Sequence, residues 1–484
     1  METQGLIELY QNTFGKTPVK LDKLPGAGSN RCYYRITEEG GKTMIGVIGT
    51  SAEENRAFYN LALSMAARHL PVPAVYAIDE SGLCILQEDL GDRSLYGFIN
   101  DDRANGEYGE MAQVMLQLVM SELPAFQFKC ANDYIYSQCY PTREMDRTSV
   151  MFDLNYFKYC YLKLSGLEFN ELSLEADFVH LADDILSVEE QGFMYRDFQA
   201  RNVMLKEGRP YYIDFQGGRK GPIYYDVASF LWQASANYSP ALRSKLIDVY
   251  LESLRRYVDI PRETFEKLLS LFVLFRTLQV LGAYGYRGLW ERKQYFIQSI
   301  PVALRNLNEL IEKGTVDAYP YLKSIAHQLV ELGSKQNQQL AHSTSVSGEK
   351  PSLHVTIYSF SYKKGIPADE SGNGGGYVFD CRSSNNPGRY DEYKQLTGLD
   401  KPVIDFLEKD GEILTFLESV YKLADFHVQR YINRGFTHLQ FAFGCTGGQH
   451  RSVYSAQHLA EHLHQKFGVS ISLHHREQNI HQSF

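Results

Sequence analysis

The sequence predicts an α+β fold in two lobes, followed by a small α/β domain. Three observations lead to this prediction. A length of 484 residues is too great for one ordinary core. Short β-like runs give way to long helical patterns within residues 1–330, and strands alternate with helices within residues 353–484. Between them, residues 331–352 are polar and lack hydrophobic periodicity, which predicts a linker.

The two lobes are predicted from a change of hydrophobic pattern inside the first 330 residues. The small lobe, about residues 1–90, alternates the β-like runs CYYRI, TMIGVIG and LCILQED with one helix-like stretch, Ala52 to His69. The large lobe, about residues 91–330, is mainly helical in pattern. Short apolar strands interrupt it around Phe193 and from Tyr211 to Phe215.

The final domain, residues 353–484, is predicted from three strand-like segments. These segments, LHVTIYSFS, GYVFDCR and HLQFAFGC, have the short apolar runs of buried strands. They alternate with helical patterns from Lys401 to Ile432 and from Ser452 to Phe467. Such alternation is typical of an α/β domain.

The overall charge limits the partners of the chain. There are 49 Lys and Arg residues against 58 Asp and Glu residues, which gives a net charge of −9 and a pI near 5.9. This balance argues against bulk binding of nucleic acid or of an anionic membrane, although it permits a local basic site.

Several features predict a cytoplasmic location. The seven cysteines are odd in number and form no CxxC pair, as expected in a reducing compartment. The N-terminus, METQGLIELYQ, lacks the basic and long apolar regions of a secretory signal. The densest apolar stretch, Leu268 to Phe275, is about two helical turns long and meets Arg276, so we do not expect it to span a bilayer.

The most informative stretch runs from Met194 to Asp226 and contains acids and an amide in a defined order. Asp197 is followed five residues later by Asn202, and Asp214 follows an apolar strand and opens a DFQGG turn. Phosphoryl transfer from ATP needs a carboxylate that accepts the substrate's hydroxyl proton, and it needs hard oxygen ligands for Mg²⁺. The spacing matches the kinase pattern H-R-D-L-x-x-x-N followed by D-F-G. Taken singly, each residue could instead be a loop cap or a turn residue.

A glycine-containing segment, LPGAGSNRCYYR, leads into the first long β-like run. Glycine lets the backbone approach phosphates closely, and Ser and Asn side chains can add hydrogen-bond donors. A simple turn is the alternative, but the position at the head of a small β-rich lobe predicts a phosphate-covering loop. The candidate nucleotide-binding residues of this loop are Gly26, Gly28, Ser29, Asn30 and Arg31.

Three motifs resemble the aminoglycoside-phosphotransferase/choline-kinase superfamily. They are YRDFQARNVML, YYIDFQGGRKGPIYYDVASFL and LQEDLGDRSLYGFI, and the resemblance covers about residues 5–321. Within the superfamily they are most similar to sugar-1-kinases that act on N-acetylmuramate and N-acetylglucosamine. The resemblance implies a protein-kinase-like two-lobed fold, with ATP and Mg²⁺ as cofactors.

The same resemblance implies roles for individual residues. Asp197 would be the catalytic base, and Asn202 and Asp214 would bind Mg²⁺. Asp226 would stabilise the catalytic region. The adenine-side hinge would include Gln87, Glu88 and Leu90.

Two departures from the superfamily pattern concern the nucleotide site. Tyr195 stands where a histidine is usual, and the strand that normally supplies a phosphate-pairing lysine reads MIGVIGT. Lys42 precedes that strand and is out of register, so Arg31 is a candidate cation for the α- and β-phosphates. Glu54, in the following helix, could organise metal or phosphate, or it could be a solvated helix residue.

In the last domain, FGCTGGQHRSV predicts an anion-binding turn between a strand and a helix. Backbone amides of such a turn and the positive end of the helix can hold a phosphate, and an arginine can add a bidentate contact. The candidate phosphosugar-binding residues are Cys445, Thr446, Gly447, Gly448, His450, Arg451 and Ser452.

The same loop also matches the Cys-x₅-Arg-Ser/Thr pattern of cysteine phosphatases, in which a thiolate attacks phosphorus. Cys445 would be that nucleophile. However, Gly444 precedes it where those enzymes have histidine, and no clear general-acid loop is visible, with Asp380 only a distant candidate. Phosphate binding, catalysis and a purely structural glycine turn therefore remain open as three hypotheses.

Further segments resemble the C-terminal domain of the RNase adapter protein RapZ. They are SFSYKKGIP, VFDCRSSNNPG, LTGLDKPV, GCTGGQHRSV and HHRE, and the match covers nearly all of residues 353–478. The resemblance implies a phosphosugar pocket with glucosamine-6-phosphate as ligand class, self-association and, in full-length relatives, small-RNA binding. From Pro351 onward thirteen Lys and Arg residues face fourteen Asp and Glu residues, so a sugar-phosphate sensor fits better than an RNA clamp.

The favoured hypothesis is an enzyme that phosphorylates a sugar hydroxyl with ATP, tethered to a sensor of amino-sugar phosphates. Its acceptor would be the anomeric hydroxyl of N-acetylmuramate or N-acetylglucosamine. The competing hypotheses are an RNA-binding or regulatory adapter on a kinase-like scaffold, and a phosphatase in the last domain. The joint presence of Asp197, Asn202 and Asp214 favours the kinase.

Overall fold

The structure is a computed structural model that describes residues 3–25, 31–104, 106–344, 353–369 and 376–484. The chain divides into two compact units, Met1–His342 and Ser343–Phe484. The division falls inside the predicted linker.

The small lobe of the first unit is built on a five-stranded antiparallel sheet. Its strands are β1 (Lys20–Lys23), β2 (Cys32–Thr37), β3 (Thr43–Ile48), β4 (Val75–Ile78) and β5 (Cys84–Glu88). They lie in the order β1-β2-β3-β5-β4. The helices of this lobe are α1 (Gln4–Phe14) and α2 (Ala52–Ala66).

Helix α2 begins and ends for local reasons. Ser51 caps its N-terminus, because the Ser51 hydroxyl accepts a hydrogen bond from the Glu54 N–H at 3.2 Å. The helix stops three residues before the predicted end, since His69 adopts a left-handed φ of 57° that a helix cannot continue.

The large lobe is mainly helical, as predicted. Its helices are α3 (Leu95–Asp101), α4 (Glu110–Lys129), α5 (Asp133–Tyr136), α6 (Arg147–Phe157), α7 (Glu171–Leu186), α8 (Tyr224–Leu231), α9 (Pro240–Leu254), α10 (Arg262–Tyr284), α11 (Gln294–Glu312) and α12 (Pro320–Thr344). Short antiparallel pairs join β6 (Arg103–Ala104) to β7 (Glu107–Tyr108), β8 (Gln191–Met194) to β11 (Arg219–Pro222) and β9 (Val203–Lys206) to β10 (Arg209–Tyr212). The predicted strand at Tyr211 to Phe215 thus ends at Tyr212, and Asp214, with φ 68°, turns the chain.

One apolar helical segment extends further than the sequence suggested. Arg262–Trp290 is long and apolar enough, by length and composition, to cross a membrane. The estimate of about two turns was therefore too short. Of its most apolar window, 67% is buried inside the first unit, where Phe272 and Phe275 are fully covered. This burial is typical of a core helix.

The first part of the predicted linker is helical. Helix α12 continues through Thr344, so residues 331–344 are not a structureless tether. Gly333 explains part of the difference, because a Cβ there would lie 2.4 Å from Cδ1 of Leu304 on α11. The absence of a side chain at Gly333 thus allows α12 to pack closely on α11.

The second unit is a small α/β domain, as predicted. Its strands are β12 (His354–Ser361), β13 (Tyr377–Asp380), β14 (His438–Cys445), β15 (Ser470–His475) and β16 (Ile480–Ser483), in the order β13-β14-β12-β15-β16. The first four are parallel and β16 is antiparallel. The helices are α13 (Lys401–Glu408), α14 (Glu412–Asn433) and α15 (Arg451–Phe467), and Gly411, with φ 78°, divides the single helix predicted over 401–432.

Candidate active site and candidate anion site

The predicted catalytic loop, which carries Asp197, follows β8. Asp226 forms hydrogen bonds with the start of this loop. The Asp226 carboxylate accepts hydrogen bonds from the N–H groups of Tyr195 and Arg196, both at 2.8 Å. Asp226 is fully buried, and this burial raises its pKa to about 7 although both N–H groups act in the opposite direction. Asp226 therefore holds the segment that precedes Asp197, as the resemblance implied.

Asn202 brings the three predicted residues together. Its side-chain amide donates to the carbonyl of Asp197 at 2.8 Å and to Oδ2 of Asp214 at 3.2 Å. Gln216 donates to the other Asp214 oxygen at 2.7 Å. Burial and the neighbouring charge of Asp197 raise the pKa of Asp214. The spacing seen in the sequence thus corresponds to one cluster.

The donor set of this cluster fits Mg²⁺. Asn202 uses its amide nitrogen within the protein, which leaves its oxygen as the atom suited to a cation, and Asp214 supplies carboxylate oxygens. Among the described residues, no group of three or more His, Cys, Asp or Glu side chains could hold a metal alone. Mg²⁺ suits such a sparse site, because it commonly keeps waters and binds substrate phosphates beside one or two protein ligands.

The carboxylate of Asp197 is accessible, with 46% of its side chain exposed. Nη2 of Arg276 lies 3.9 Å from its Oδ1. Arg276 is held by Ser229 at 3.2 Å and by Gln279. Arg276 was not among the predicted site residues, although a charged residue within the apolar run FVLFRTLQVL was a signal.

Tyr195 occupies the position where a histidine is usual and replaces it with a different contact. Its hydroxyl donates to the carbonyl of Ile213 at 2.5 Å, directly before Asp214. The side chain is 1% exposed. Tyr195 thus ties the catalytic loop to the loop that carries Asp214.

The predicted hinge residues lie at the end of β5. Gln87 and Leu90 are buried. The Glu88 carboxylate accepts from Nζ of Lys206 at 2.5 Å and from the N–H of Ala74 at 3.0 Å, so it joins the small lobe to β9. Their role in adenine binding stays a prediction. Four predicted nucleotide-binding residues, Gly26, Gly28, Ser29 and Asn30, lie outside the described residues.

The remaining residue of the predicted glycine-containing loop, Arg31, pairs with Glu54. Nη2 of Arg31 lies 2.9 Å from Oε1 of Glu54. Glu54 is therefore a member of an ion pair, with 39% of its side chain exposed.

The second unit contains a cavity of about 460 Å³ at the carboxyl ends of its central strands. Strands β12 and β14 are adjacent, and the chain leaves them toward opposite edges of the sheet. Ligands of open parallel sheets bind at such a point. The cavity is lined by Ser361, Lys363, Lys364, Thr397, Gly447, Gln449, Glu477 and Gln478.

Cys445 is the last residue of β14 and precedes by two residues Gly447, which lines this cavity. Its Sγ accepts from the Gly448 N–H at 3.2 Å and lies 3.1 Å from Oγ of Ser452. Burial alone would raise the pKa of the thiol, but the hydrogen bonds from Ser452, Gly448 and Gln449 lower it overall. The loop thus stabilises negative charge at Cys445.

Arg451 makes contacts within the protein, and its predicted role in ligand binding stays a prediction. Its Nη1 donates to the carbonyls of Arg382 at 2.9 Å and Ser384 at 2.8 Å, and the residue is 4% exposed. His450 is also buried, with Nε2 2.9 Å from the carbonyl of Tyr393. Both side chains thus connect the start of α15 to neighbouring loops, although Nε of Arg451 is buried without a hydrogen-bond partner.

Of the seven predicted residues, Gly447 is the one that lines the cavity. Thr446 is exposed, and its carbonyl accepts from Oγ of Ser361 at 2.8 Å. Gly448 and Ser452 are buried against Cys445. The cationic residues that line the cavity are Lys363 and Lys364. They lie in the motif SFSYKKGIP but were not among the predicted site residues.

Two segments of the chain match known protein families. Residues 20–260 match the phosphotransferase enzyme family APH, and residues 353–479 match the RapZ C-terminal domain. The chain therefore carries an APH phosphotransferase domain followed by a RapZ C-terminal domain, and the kinase-like fold class is confirmed. The narrower likeness to N-acetylmuramate and N-acetylglucosamine kinases stays a prediction.

Several curated proteins are similar over part of the chain. A nucleotide-binding protein of Staphylococcus epidermidis is 32% identical over 184 residues, which cover 36% of this chain and 59% of that protein. One of Xanthomonas campestris is 36% identical over 132 residues, 27% of this chain and 45% of that protein. One of Acidobacterium capsulatum is 40% identical over 119 residues, 25% of this chain and 37% of that protein. The chain thus spans between 37% and 59% of these relatives' lengths.

Solved kinases are similar to a larger share of the chain at low identity. A choline kinase from Cryptosporidium parvum is 10% identical, with a TM-score of 0.43, over 64% of this chain and 93% of that chain. An ethanolamine kinase from Plasmodium vivax is 10% identical, with a TM-score of 0.44, over 59% and 82%. Amicoumacin kinase in complex with AMP-PNP and Ca²⁺ is 12% identical, with a TM-score of 0.41, over 59% and 86%.

Proposed function

We propose that this chain, which carries an APH phosphotransferase domain and a RapZ C-terminal domain, transfers the γ-phosphoryl group of ATP to an amino sugar. The acceptor is the anomeric hydroxyl of N-acetylmuramate or N-acetylglucosamine, in the recycling of cell-wall sugars. The observation that carries the proposal is the side-chain amide of Asn202, which contacts both the catalytic loop at Asp197 and the carboxylate of Asp214.

Each residue of the cluster has a separate task in this reaction. The accessible carboxylate of Asp197 takes the proton of the acceptor hydroxyl as its oxygen bonds to phosphorus and the bond to the ADP oxygen breaks. Asn202 and Asp214 hold Mg²⁺, which neutralises charge on the phosphates. Nη2 of Arg276 lies 3.9 Å from Oδ1 of Asp197 and helps to orient this carboxylate.

The second unit is proposed to bind an amino-sugar phosphate and to report its level. Support comes from the cavity at the strand ends, with Lys363, Lys364 and the Gly447 turn on its wall. The near-neutral composition of residues 353–484 favours a small ligand over RNA, and self-association through this unit is the proposed assembly. All seven cysteines are free thiols, which supports a cytoplasmic location.

A phosphatase is the second candidate function of this unit. The favourable observation is the lowered pKa of Cys445, because a thiolate is the form that attacks phosphorus. Two contacts argue against it. Arg451 donates to protein carbonyls, and Asp380, the distant candidate acid, accepts from Arg382 at 2.6 Å. Binding is therefore the preferred function of the Cys445 loop.

The decisive experiment is a screen of the full chain for ATP consumption with amino sugars, followed by ³¹P and ¹H NMR of the product. We expect Mg²⁺-dependent phosphorylation at the anomeric hydroxyl of an N-acetylated amino sugar. Asp197→Asn is the matched control, because it removes the base, keeps the shape and should lose most turnover while nucleotide affinity stays close to wild type. Equal loss of nucleotide affinity, or phosphorylation at another hydroxyl, would contradict the assignment.

A further inference from the structure

Strand β3 supplies no cation to the nucleotide cleft. Ile45 and Val47 pack into the large apolar cluster of the first unit. Gly46 faces the opposite side of the sheet, where a Cβ would lie 2.5 Å from Leu6. A side chain at position 46 would clash with the ends of the Leu6 and Ile36 side chains, so we expect the cation for the phosphates to come from another element.

Two other cations near the small-lobe sheet are paired with carboxylates. Arg35 on β2 binds Asp89 at 2.6 Å and Asp92 at 2.8 Å. Lys206 binds Glu88 at 2.5 Å. Both pairs lie at the hinge side of the sheet, next to Glu88, and so are placed to join segments of the protein.

Arg31 is different because its carboxylate partner belongs to α2, the helix that packs on the Asp214 loop. Arg31 precedes β2, only 10% of its side chain is exposed, and its Nη2 lies 2.9 Å from Oε1 of Glu54. This contact directs the guanidinium toward α2.

Glu54 fixes Arg31 to a helix that is itself tied to the metal-binding loop. Phe58 follows Glu54 by one helical turn, on the same face of α2. Its ring stacks on Phe215, the residue after Asp214, with centroids 4.9 Å apart and an interplanar angle of 13°. Asn55 anchors the same turn by donating to the carbonyl of Gly82 at 2.9 Å. Arg31, α2 and the Asp214 loop are thus linked by a continuous series of contacts.

We propose that Arg31, positioned by Glu54, is the cation that binds the α- and β-phosphates of the nucleotide. The assignment rests on the proposed function, since it presupposes a nucleotide in this cleft. In protein kinases a β3 lysine pairs with a glutamate of the following helix for this task. Here the arginine comes from the preceding loop instead. A guanidinium suits the task, because its planar fork can contact two phosphate oxygens at once.

The test compares nucleotides that differ only in their phosphates. Calorimetry with the full chain measures ADP with Mg²⁺, and adenosine, against wild type and Arg31→Gln. We expect the ADP affinity to fall about ten- to hundred-fold, the loss of one charge-assisted contact, and the adenosine affinity to stay unchanged. Lys20→Gln, which removes an exposed charge paired with Asp22, is the matched control and should bind both ligands normally.

Glu54→Gln tests the positioning role. This variant should bind ADP more weakly than wild type does, with unchanged affinity for adenosine. The double variant Arg31→Gln/Glu54→Gln should bind ADP no more weakly than Arg31→Gln alone. Glu53→Gln, one residue earlier and exposed, should resemble wild type. Unchanged ADP affinity in Arg31→Gln, or equal loss for adenosine, would overturn the assignment. If wild type bound no ADP, both this inference and the proposed kinase would fail.

Discussion

Asp226→Asn is expected to change how the stability of the first unit depends on pH. The carboxyl is fully buried, and burial raises its pKa from 3.8 to about 7. Between these values the unfolded chain has lost the proton and the folded chain keeps it, so stability falls as the pH rises. The difference between 3.8 and about 7 corresponds to a loss on the order of 4 kcal/mol.

The asparagine variant lacks this titration, but it loses stability by an amount that does not depend on pH. Its amide oxygen can accept from only one of the two N–H groups at Tyr195 and Arg196, and the unpaired group costs about 1–3 kcal/mol. The stability of the variant relative to wild type should therefore improve between pH 5 and pH 8, although the catalytic loop is less well held.

The assay is urea unfolding of the first unit, followed by tryptophan fluorescence at several pH values between 5 and 8. Both tryptophans, Trp232 and Trp290, lie in this unit. Asp146→Asn is the control, since hydrogen bonds from Ser149 lower the pKa of Asp146 and its contribution should stay constant over this range. The reasoning would be refuted if the difference in free energy of unfolding between wild type and Asp226→Asn did not change with pH.

The remaining predictions concern the two sites. Asp214→Ala should weaken Mg²⁺-dependent binding of ATP, measured by titration with and without the metal, and unchanged MgATP affinity would disprove the metal assignment. Cys445→Ser should leave glucosamine-6-phosphate binding nearly intact, and phosphate release from a sugar phosphate that disappears in this variant would instead establish the phosphatase. Arg451→Ala leaves the carbonyls of Arg382 and Ser384 without their donor, so we expect the second unit to lose about 1–3 kcal/mol of stability, measured by thermal unfolding.

The residues that could be predicted from the sequence are those whose order along the chain determines their position. Asp197, Asn202 and Asp214 lie on one loop–strand–strand segment, so their spacing was enough to bring them together. The strands β12, β13 and β14 were likewise visible as short apolar runs, since buried parallel strands have little polar alternation.

What could not be predicted depends on contacts between distant segments. Arg276 meets Asp197 across 79 positions of the chain, and nothing local to either residue indicates the pairing. Nothing local to Arg451 indicates that its guanidinium donates to the distant carbonyls of Arg382 and Ser384. The close packing of Gly333 on Leu304 likewise depends on a residue of another helix, so the polar composition around it did not indicate a helix.

The strand order of the second unit has a consequence for how this unit is made. Strand β12 is synthesised first, yet both of its neighbours, β14 and β15, come from residues 438–475. Its apolar side chains, among them Val355 and Ile357, therefore have no partner strand until that segment has left the ribosome. Pairing over such sequence distances is slow, and an unpaired apolar strand is prone to aggregate. Newly made chains should thus hold a folded kinase unit while the second unit still depends on chaperones.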